Sequence, residues 1–187
     1  MNLSAMEMEA GRLSPELAKG LSENAALVRQ VSTELRTLSY LLHPPLLEEM
    51  GLESALRWYI DGFGQRSGIK ARFEQRDLGR LSRDLEIAIF RVVQECLTNV
   101  HRHSGSSTAS IHLYPSSGSI VLEVKDEGKG IAPEVLSKIA SAGASGVGLR
   151  GMRERIKDFG GELEIGSHEK GAEIRIVVPM AAHTAER

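Results

Sequence analysis

The sequence contains a single cysteine, Cys96, among its 187 residues, so it cannot form an internal disulfide. A chain of this kind is the usual case in a reducing compartment. The formal net charge of −2 gives no general reason to expect nucleic acid or an acidic membrane surface as a partner. Apolar runs of the roughly 20 residues that span a bilayer are missing, and so is a signal-peptide pattern at the start. We therefore expect a cytoplasmic protein, or the cytoplasmic part of a larger one whose membrane anchor lies outside this chain.

The N-terminal third has the pattern of a long helix, which we predict over Pro15–Leu42. Ser14 can cap this helix, and Pro15 suits its first position. The helix should end at His43, because the two prolines that follow disfavour helical geometry. Its seam positions recur every four and three residues, a period of about 3.5 that is typical of helical bundles. The seam consists of Leu17, Leu21, Asn24, Val28, Val31, Leu35, Leu38 and Leu42.

A helix with one apolar seam needs a surface to pack against. A second copy of the chain could supply that surface, or the seam could pack on the C-terminal part of the same chain. We favour the intermolecular bundle, which predicts a homodimer through the N-terminal helix.

The remainder of the chain alternates between helix and strand patterns. We divide the chain into a bundle segment (1–46), a connecting helix region (47–68), a catalytic domain (69–180) and a tail (181–187). Gly64 and Gly68 should close the connecting helix. Strand pairs joined by short turns imply antiparallel pairing, with helices covering one face of the sheet in a two-layer α/β sandwich. The expected elements are strand 69–75, helix 82–103, strands 108–114 and 119–125, loop 126–145, helix 147–159, and strands 161–167 and 172–178.

The helix predicted over 82–103 carries two stripes. An apolar stripe should face the sheet, and a polar stripe of Glu95, Asn99, Arg102 and His103 runs beside it. The Asn99 side-chain oxygen can coordinate Mg²⁺, Glu95 can orient or deprotonate a nucleophile, and Arg102 can neutralise phosphate. Alone, the same stripe also fits a solvated helix edge. The apolar stripe is Leu85, Ala88, Ile89, Val92, Val93, Cys96, Leu97 and Val100.

A glycine turn follows the predicted strand that ends before Asp126. Gly128 and Gly130 let the backbone turn tightly and approach a ligand closely. The Asp126 carboxylate could then accept a hydrogen bond from an exocyclic amine such as that of adenine. A plain Asp-Gly turn is the alternative for this cluster alone.

A second glycine cluster surrounds the start of the helix predicted over 147–159. Glycine-rich loops that enter a helix present backbone N–H groups and the positive end of the helix dipole to phosphates. The cluster lacks the Lys-Ser/Thr of a Walker loop and the preceding strand of a dinucleotide-binding motif. A flexible linker is the alternative. The glycines are Gly143, Gly146, Gly148 and Gly151.

In this order and spacing, the segments QECLTNVHRH, DEGKGI and GVGLRGMRERI resemble the asparagine box and the two glycine boxes of the GHKL ATPases. That superfamily contains histidine kinases, Hsp90, gyrase and MutL, and the resemblance covers roughly residues 82–179. The segment LSYLLHPPLLEEMGLESAL resembles the second helix of the dimerisation domain and the domain junction of NarX/DesK-like sensor histidine kinases, which adds about Leu17–Leu56 to the resemblance.

The resemblance implies a Bergerat-type two-layer sandwich with a mixed, mostly antiparallel sheet. It also implies ATP and Mg²⁺ as ligands, a homodimer, and a response-regulator receiver domain as partner. In the implied site, Glu95 is the catalytic helper and Asn99 is the catalytic magnesium ligand, with Arg102 and His103 near the phosphates. Asp126 binds the adenine amine, and Gly128, Gly130 and Ile131 line its pocket. Gly146, Gly148 and Leu149 form the phosphate-contacting end of the lid.

The chain departs from this family at two places. The family usually has a threonine near the last strands where this chain has Ala172, so we do not expect a hydroxyl contact there. The phosphoacceptor segment, which contains Glu-Leu-His-Asp in the family, has no counterpart, and we interpret His43 as a helix-terminating residue. We therefore expect ATP binding without autophosphorylation. A serine-phosphorylating anti-sigma regulator and an ATP-gated dimerisation module are the alternatives.

Overall fold

A computed structural model of the protein describes residues 19–25, 27–28, 45–140, 147–168 and 170–180. The chain divides into two compact units, Met1–Pro45 and Leu46–Arg187. In the first unit, residues 19–25 and 27–28 are helical, as predicted. Of the predicted seam positions among them, Leu21 is half-buried, whereas Asn24 and Val28 are exposed. The rest of the predicted helix and His43 lie outside the described residues, so dimerisation through the seam stays a prediction.

Helix α1 spans Pro45–Ser67 and is kinked at Gly51, where φ is 80° and ψ is 173°. Gly68, at φ 75°, ends this helix and donates its N–H to the carbonyl oxygen of Gly64 at 3.0 Å. Gly64, which we expected to close the helix as well, lies inside it. Although we assigned this helix to a connecting region, its apolar side chains belong to the core of the second unit: Leu52, Leu56, Tyr59, Ile60 and Phe63.

The second unit contains one five-stranded sheet, with strands β1 (Lys70–Gln75), β2 (Thr108–Ser116), β3 (Ser119–Asp126), β4 (Glu162–His168) and β5 (Gly171–Pro179). Their order across the sheet is β1-β2-β3-β5-β4. The β1–β2 pair is parallel, and the pairs β2–β3, β3–β5 and β4–β5 are antiparallel. The expected mixed, mostly antiparallel sheet is confirmed.

Strand residues alternate between the core and the opposite face, as the period of a strand requires. In β2, for example, Ala109, Ile111 and Leu113 are buried, and the residues between them are partly exposed. Helices supply the other side of this core, so the predicted two-layer arrangement is confirmed. Within the part of the chain that the structure describes, no helix combines the length and the apolar character that crossing a membrane requires.

Helix α2 (Arg83–Asn99) is the central helix of this layer. It begins after Ser82 and continues directly into a π-helical turn, Val100–Ser104, which Gly105 ends in the left-handed conformation. All eight residues of the predicted apolar stripe are buried, because the stripe faces the sheet. Phe90 is buried as well, with its ring edge-on to Tyr59 at 5.6 Å between centroids.

Among the described residues, two further helices follow β3. The prediction of an unbroken loop over 126–145 was wrong, because α3 spans Pro133–Ala140 and starts where the N–H groups of Val135 and Leu136 donate to the carbonyl of Ala132. Pro133 suits the first position of a helix, which is the local signal that we missed. Helix α4 (Val147–Lys157) begins as predicted and ends two residues earlier than expected, before a turn at Gly160.

Candidate functional site

A cavity of about 650 Å³ opens between α2, the π-helical turn and the neighbouring ends of β3, β4 and β5. Helix α3 and the start of α4 form its remaining side, so the cavity lies within the second unit. Its volume is typical of small-molecule sites, which measure roughly 300–1,000 Å³. Nine of the eleven site residues that we predicted line it: Glu95, Asn99, Arg102, His103, Asp126, Gly130, Ile131, Gly148 and Leu149.

One wall of the cavity is the polar edge of α2. Glu95 and Asn99 are four residues apart, which places them one above the other on a helix surface. After Asn99 the π-helical turn takes over, and it carries the exposed side chains of Arg102 and His103 to the same cavity. Short π-helical turns are frequent at functional sites. The wall thus presents a carboxylate, an amide and two basic groups to a single ligand.

The glycine turn after β3 forms the adjoining corner. Asp126 is the last residue of β3, and its Oδ1 accepts a hydrogen bond from the N–H of Gly128 at 2.8 Å. Gly128 is not among the described residues that line the cavity. A side-chain carbon there would collide with the carbonyl oxygen of Ser104, to which Lys129 donates its N–H at 2.9 Å. Gly128 therefore packs the glycine turn against the π-helical turn, whereas we predicted that it would line the adenine pocket.

The end of this turn, at Gly130 and Ile131, closely approaches Ser167 on β4. Gly130 has a φ of 71°, and a side-chain carbon added to it would lie 2.6 Å from the Oγ of Ser167 on β4. The N–H of Ile131 donates to the same oxygen at 2.8 Å. Both Gly130 and Ile131 line the cavity, as predicted.

The start of α4 lies against α2 at the side of the cavity. Gly148 and Leu149 line it, and a side-chain carbon at Gly148 would overlap the carboxylate of Glu95. Glycine at this position therefore lets the helix start approach Glu95. Such a start places the positive end of the helix dipole towards the cavity. Gly146 lies outside the described residues, so its place in a lid stays a prediction.

The apolar floor of the cavity was missing from the sequence prediction. The alternation within each strand places these residues on the inner face, but only the order of the strands brings them together below α2. Lys129, at the edge of the cavity, was missed as well, since it stands between two glycines without a motif of its own. The floor consists of Val124, Ile165, Ala172 and Ile174, and α3 adds Val135 and Ile139.

The charged groups of the cavity have both signs. Glu95 and Asp126 are acidic, whereas Arg102, His103 and Lys129 are basic. With the apolar floor, this arrangement suits a ligand that combines a flat, weakly polar part with anionic groups.

Cys96 also lines the cavity, where its sulfur lies 3.9 Å from the Sδ of Met152. Burial raises the pKa of the Cys96 thiol far above its ordinary value, and the nearby charge of Glu95 adds to this effect. The thiol is therefore neutral at physiological pH. Because the thiolate is the reactive form of cysteine, Cys96 acts in packing and not as a nucleophile.

Oxygen donors for a hard cation are present at Asn99 and Glu95. Across the residues that the structure describes, no group of three or more His, Cys, Asp or Glu side chains could hold a metal ion alone. Mg²⁺ commonly takes one or two protein oxygens and completes its shell with waters and the phosphates of a substrate. The donor set therefore fits Mg²⁺ held jointly by the protein and an anionic ligand.

Comparison with known proteins adds sequence relatives to this geometry. A family model described as histidine kinase-, DNA gyrase B- and HSP90-like ATPase matches residues 84–182. Sensor histidine kinase MctS of Rhizobium johnstonii is 31% identical over an alignment of 211 residues, which covers 97% of this chain and 45% of the relative. Sensor histidine kinase LiaS of Bacillus subtilis is 35% identical over 152 residues, with 81% and 40% covered. Sensor histidine kinase NarS of Mycobacterium tuberculosis is 32% identical over 154 residues, with 82% and 35% covered. The chain thus spans less than half the length of these relatives.

Solved structures with the same fold include the histidine kinase domain of a blue-light activated histidine kinase from Erythrobacter litoralis. Its TM-score is 0.62 at 18% identity, with 96% of this chain and 94% of that chain covered. Histidine kinase AdeS of Acinetobacter baumannii has a TM-score of 0.55 at 16% identity, with 96% of both chains covered. At these identities the likeness concerns the fold.

Proposed function

Because this chain belongs to the family of histidine kinase-, DNA gyrase B- and HSP90-like ATPases, we propose that it is the ATP-binding catalytic portion of a two-component sensor histidine kinase. The complete enzyme would transfer the γ-phosphoryl group of ATP to a histidine, and an aspartate of a response-regulator receiver domain would then take it. Three relatives named as sensor histidine kinases support this assignment. The observation that carries it is the convergence of three separate sequence segments on one cavity.

The adenine ring would lie on the apolar floor, against Val124, Ile165 and Ile174. Asp126 would accept a hydrogen bond from the exocyclic amine, since it stands at the edge of that floor. Its Oδ1 already accepts the Gly128 N–H, and this bond fixes the direction of the carboxylate. The contact would favour adenine over guanine, which carries a carbonyl oxygen where adenine carries its amine.

The phosphates would extend towards Arg102 and His103. Guanidinium groups bind phosphate oxygens through charge-assisted hydrogen bonds. The start of α4 would add backbone N–H groups and the positive end of its dipole from the opposite side. Phosphoryl transfer depends mainly on such positioning and charge stabilisation, so these contacts would supply much of the catalysis.

Asn99 would hold Mg²⁺ through its side-chain oxygen, with the carboxylate of Glu95 one helical turn away. The ion would neutralise part of the triphosphate charge when bound. Glu95 would orient the attacking nitrogen of the acceptor or accept its proton, and it touches the start of α4, which lies over the same part of the cavity. We assign Glu95 and Asn99 as the catalytic residues.

The acceptor histidine would come from a segment that this sequence does not contain. No part of the chain resembles the acceptor motif of the family, and the conformation of His43 is outside the described residues. We propose that this chain binds ATP without phosphorylating itself. We also propose that it forms a homodimer through its N-terminal helix and works in the cytoplasm.

Nucleotide titration tests the proposal. We expect ATP and ADP to bind in calorimetry and GTP to bind more weakly, because Asp126 recognises the adenine amine. If titration with ATP up to millimolar concentration gives no heat of binding, the chain has no ATP site. Incubation with radiolabelled Mg-ATP should leave this chain unlabelled, whereas acid-labile phosphate on it would refute the missing acceptor.

A further inference from the structure

Ser167 lies on β4, opposite Ala172 of β5. Its half-buried hydroxyl oxygen accepts a hydrogen bond from the N–H of Ile131 at 2.8 Å. The same hydroxyl donates to the carbonyl oxygen of Gly171, 3.5 Å away. Ser167 stands behind the cavity wall and not in its described lining, but Ile131 and Ala172 are in that lining. The hydroxyl therefore joins the glycine turn to the β4–β5 hairpin.

Other hydrogen bonds hold the glycine turn before its end, among them one from the Glu127 N–H to the Oγ of Ser106 at 3.2 Å. At its start, the carboxylate of Asp126 accepts the N–H of Gly128, and in its middle the carbonyl of Ser104 accepts the N–H of Lys129. The Ser167 hydroxyl is the corresponding tether at its end. The Gly130 backbone also lies close to this hydroxyl, since a side-chain carbon added at Gly130 would lie 2.6 Å from its oxygen.

We propose that Ser167 is a positioning residue for the nucleotide base, because its hydroxyl fixes the Gly130–Ile131 backbone and preforms that part of the cavity. The inference rests on the ATP-binding function proposed above. Without the hydroxyl, the Ile131 N–H loses its acceptor and the turn gains conformations that binding must restrict. One neutral hydrogen bond of this kind corresponds to about a three- to tenfold change in affinity.

The position of the tether determines which ligands should feel its loss. Gly130 and Ile131 lie beside Asp126 and the apolar floor, where the base would bind, while the phosphates would lie near Arg102. Ser167→Ala should therefore weaken adenosine, ADP and ATP by the same factor. Addition of Mg²⁺ should leave that factor unchanged.

Calorimetric titration of the full chain with these three ligands tests the inference. Ser167→Thr keeps a hydroxyl on a strand and should bind ADP like the wild type, whereas Ser167→Ala should bind it about three- to tenfold more weakly. Ser110→Ala is the matched control, since Ser110 is a half-buried serine of β2 away from the cavity. Ser167→Cys provides a second test, because a thiol is a weak acceptor and should show the same loss as alanine.

Amide hydrogen exchange without nucleotide gives an independent measurement. The Ile131 N–H should exchange faster in Ser167→Ala than in the wild type. In Ser110→Ala it should exchange at the wild-type rate. If wild type and Ser167→Ala bind ADP alike, or if only ATP is weakened, this inference fails while the proposed function stands. If the wild type binds no adenine nucleotide, both fail.

Discussion

Replacement of Gly128 by alanine should damage the protein although it adds only one carbon. The Cα of Gly128 lies against Ser104, the last residue of the π-helical turn, on the side where a side chain would be attached. The new carbon would stand 2.7 Å from the carbonyl carbon of Ser104 and 2.8 Å from its Cβ, and closer still to the carbonyl oxygen. Two of these atoms are backbone, so no side-chain rotation can relieve the overlap.

The size of the effect follows from what must move. Separation of the two turns breaks the bond between the Lys129 N–H and the Ser104 carbonyl, which is 2.9 Å long. Overpacking typically costs about 1–3 kcal/mol and a lost hydrogen bond about 1 kcal/mol. We expect Gly128→Ala to lower the free energy of unfolding by about 2–4 kcal/mol, compared with about 5–15 kcal/mol for a typical domain. ADP should bind at least about tenfold more weakly, because the turn carries Asp126 and Gly130.

Urea denaturation followed by circular dichroism measures this loss. Gly151→Ala is the matched control: it lies in α4, and its added carbon meets no atom within 4 Å. Alanine favours helix over glycine, so this variant should gain about 0.5–1 kcal/mol. If Gly128→Ala stays within about 0.5 kcal/mol of the wild type while the control behaves as expected, the close approach of the two turns does not constrain the site.

Three other predictions concern base recognition, pH and assembly. Asp126→Asn should weaken ATP about tenfold and GTP little, since the charge-assisted bond to the adenine amine is lost; an equal loss for both nucleotides, measured by calorimetry, would contradict this role. Burial opposes ionisation of Glu173, but hydrogen bonds from His168 and Lys125 prevail and lower the pKa of its carboxyl below the ordinary 4.5. A carboxyl group whose pKa is lower in the folded protein stabilises it above the unfolded-state pKa, and this stabilisation is lost as pH falls through the folded-state pKa. Between about pH 6 and pH 3.5, the urea midpoint should therefore drop more for wild type than for Glu173→Gln. Parallel curves for the two proteins would refute this contribution of Glu173. Leu38→Glu should convert the predicted homodimer to monomer in light scattering, whereas a variant that stays dimeric would exclude the seam as the interface.

Helix α2 is the element that sequence predicts best. The residues of its predicted apolar stripe recur with the helical period, and each of them is buried. The polar edge follows from the same period, since Glu95 and Asn99 must lie beside the stripe. Local pattern thus determines both the core face of this helix and the wall of the cavity.

The π-helical turn could not be predicted in the same way. It spans Val100–Ser104, and this segment contains no sequence signal that separates a π-helical turn from the end of an α-helix. Its last residue makes contacts that are distant in sequence, since the carbonyl of Ser104 accepts the Lys129 N–H and lies against Gly128. Helix α3 was missed for another reason, since its eight residues are too few to show a period among the glycines on either side.

The floor of the cavity and its tether depend on the order of strands. Ile165 and Ile174 are paired across β4–β5, and β5 lies next to β3, which carries Val124. No local pattern contains that order. Ser167 was missed because a strand serine has no periodic signature, and its importance lies in the Ile131 N–H more than 30 residues earlier in the chain.

We propose that three sequence segments form one site for Mg-ATP, and the magnesium dependence of ATP binding tests this most directly. ATP affinity should be measured by calorimetry with and without Mg²⁺ for wild type, Asn99→Ala and the control Thr98→Ala. Thr98 precedes Asn99 on α2 but donates its hydroxyl to the Gln94 carbonyl at 2.8 Å. We predict that Mg²⁺ tightens ATP binding in wild type and Thr98→Ala and has no such effect in Asn99→Ala. Equal tightening in all three proteins would contradict Asn99 as the magnesium ligand and the site built around it.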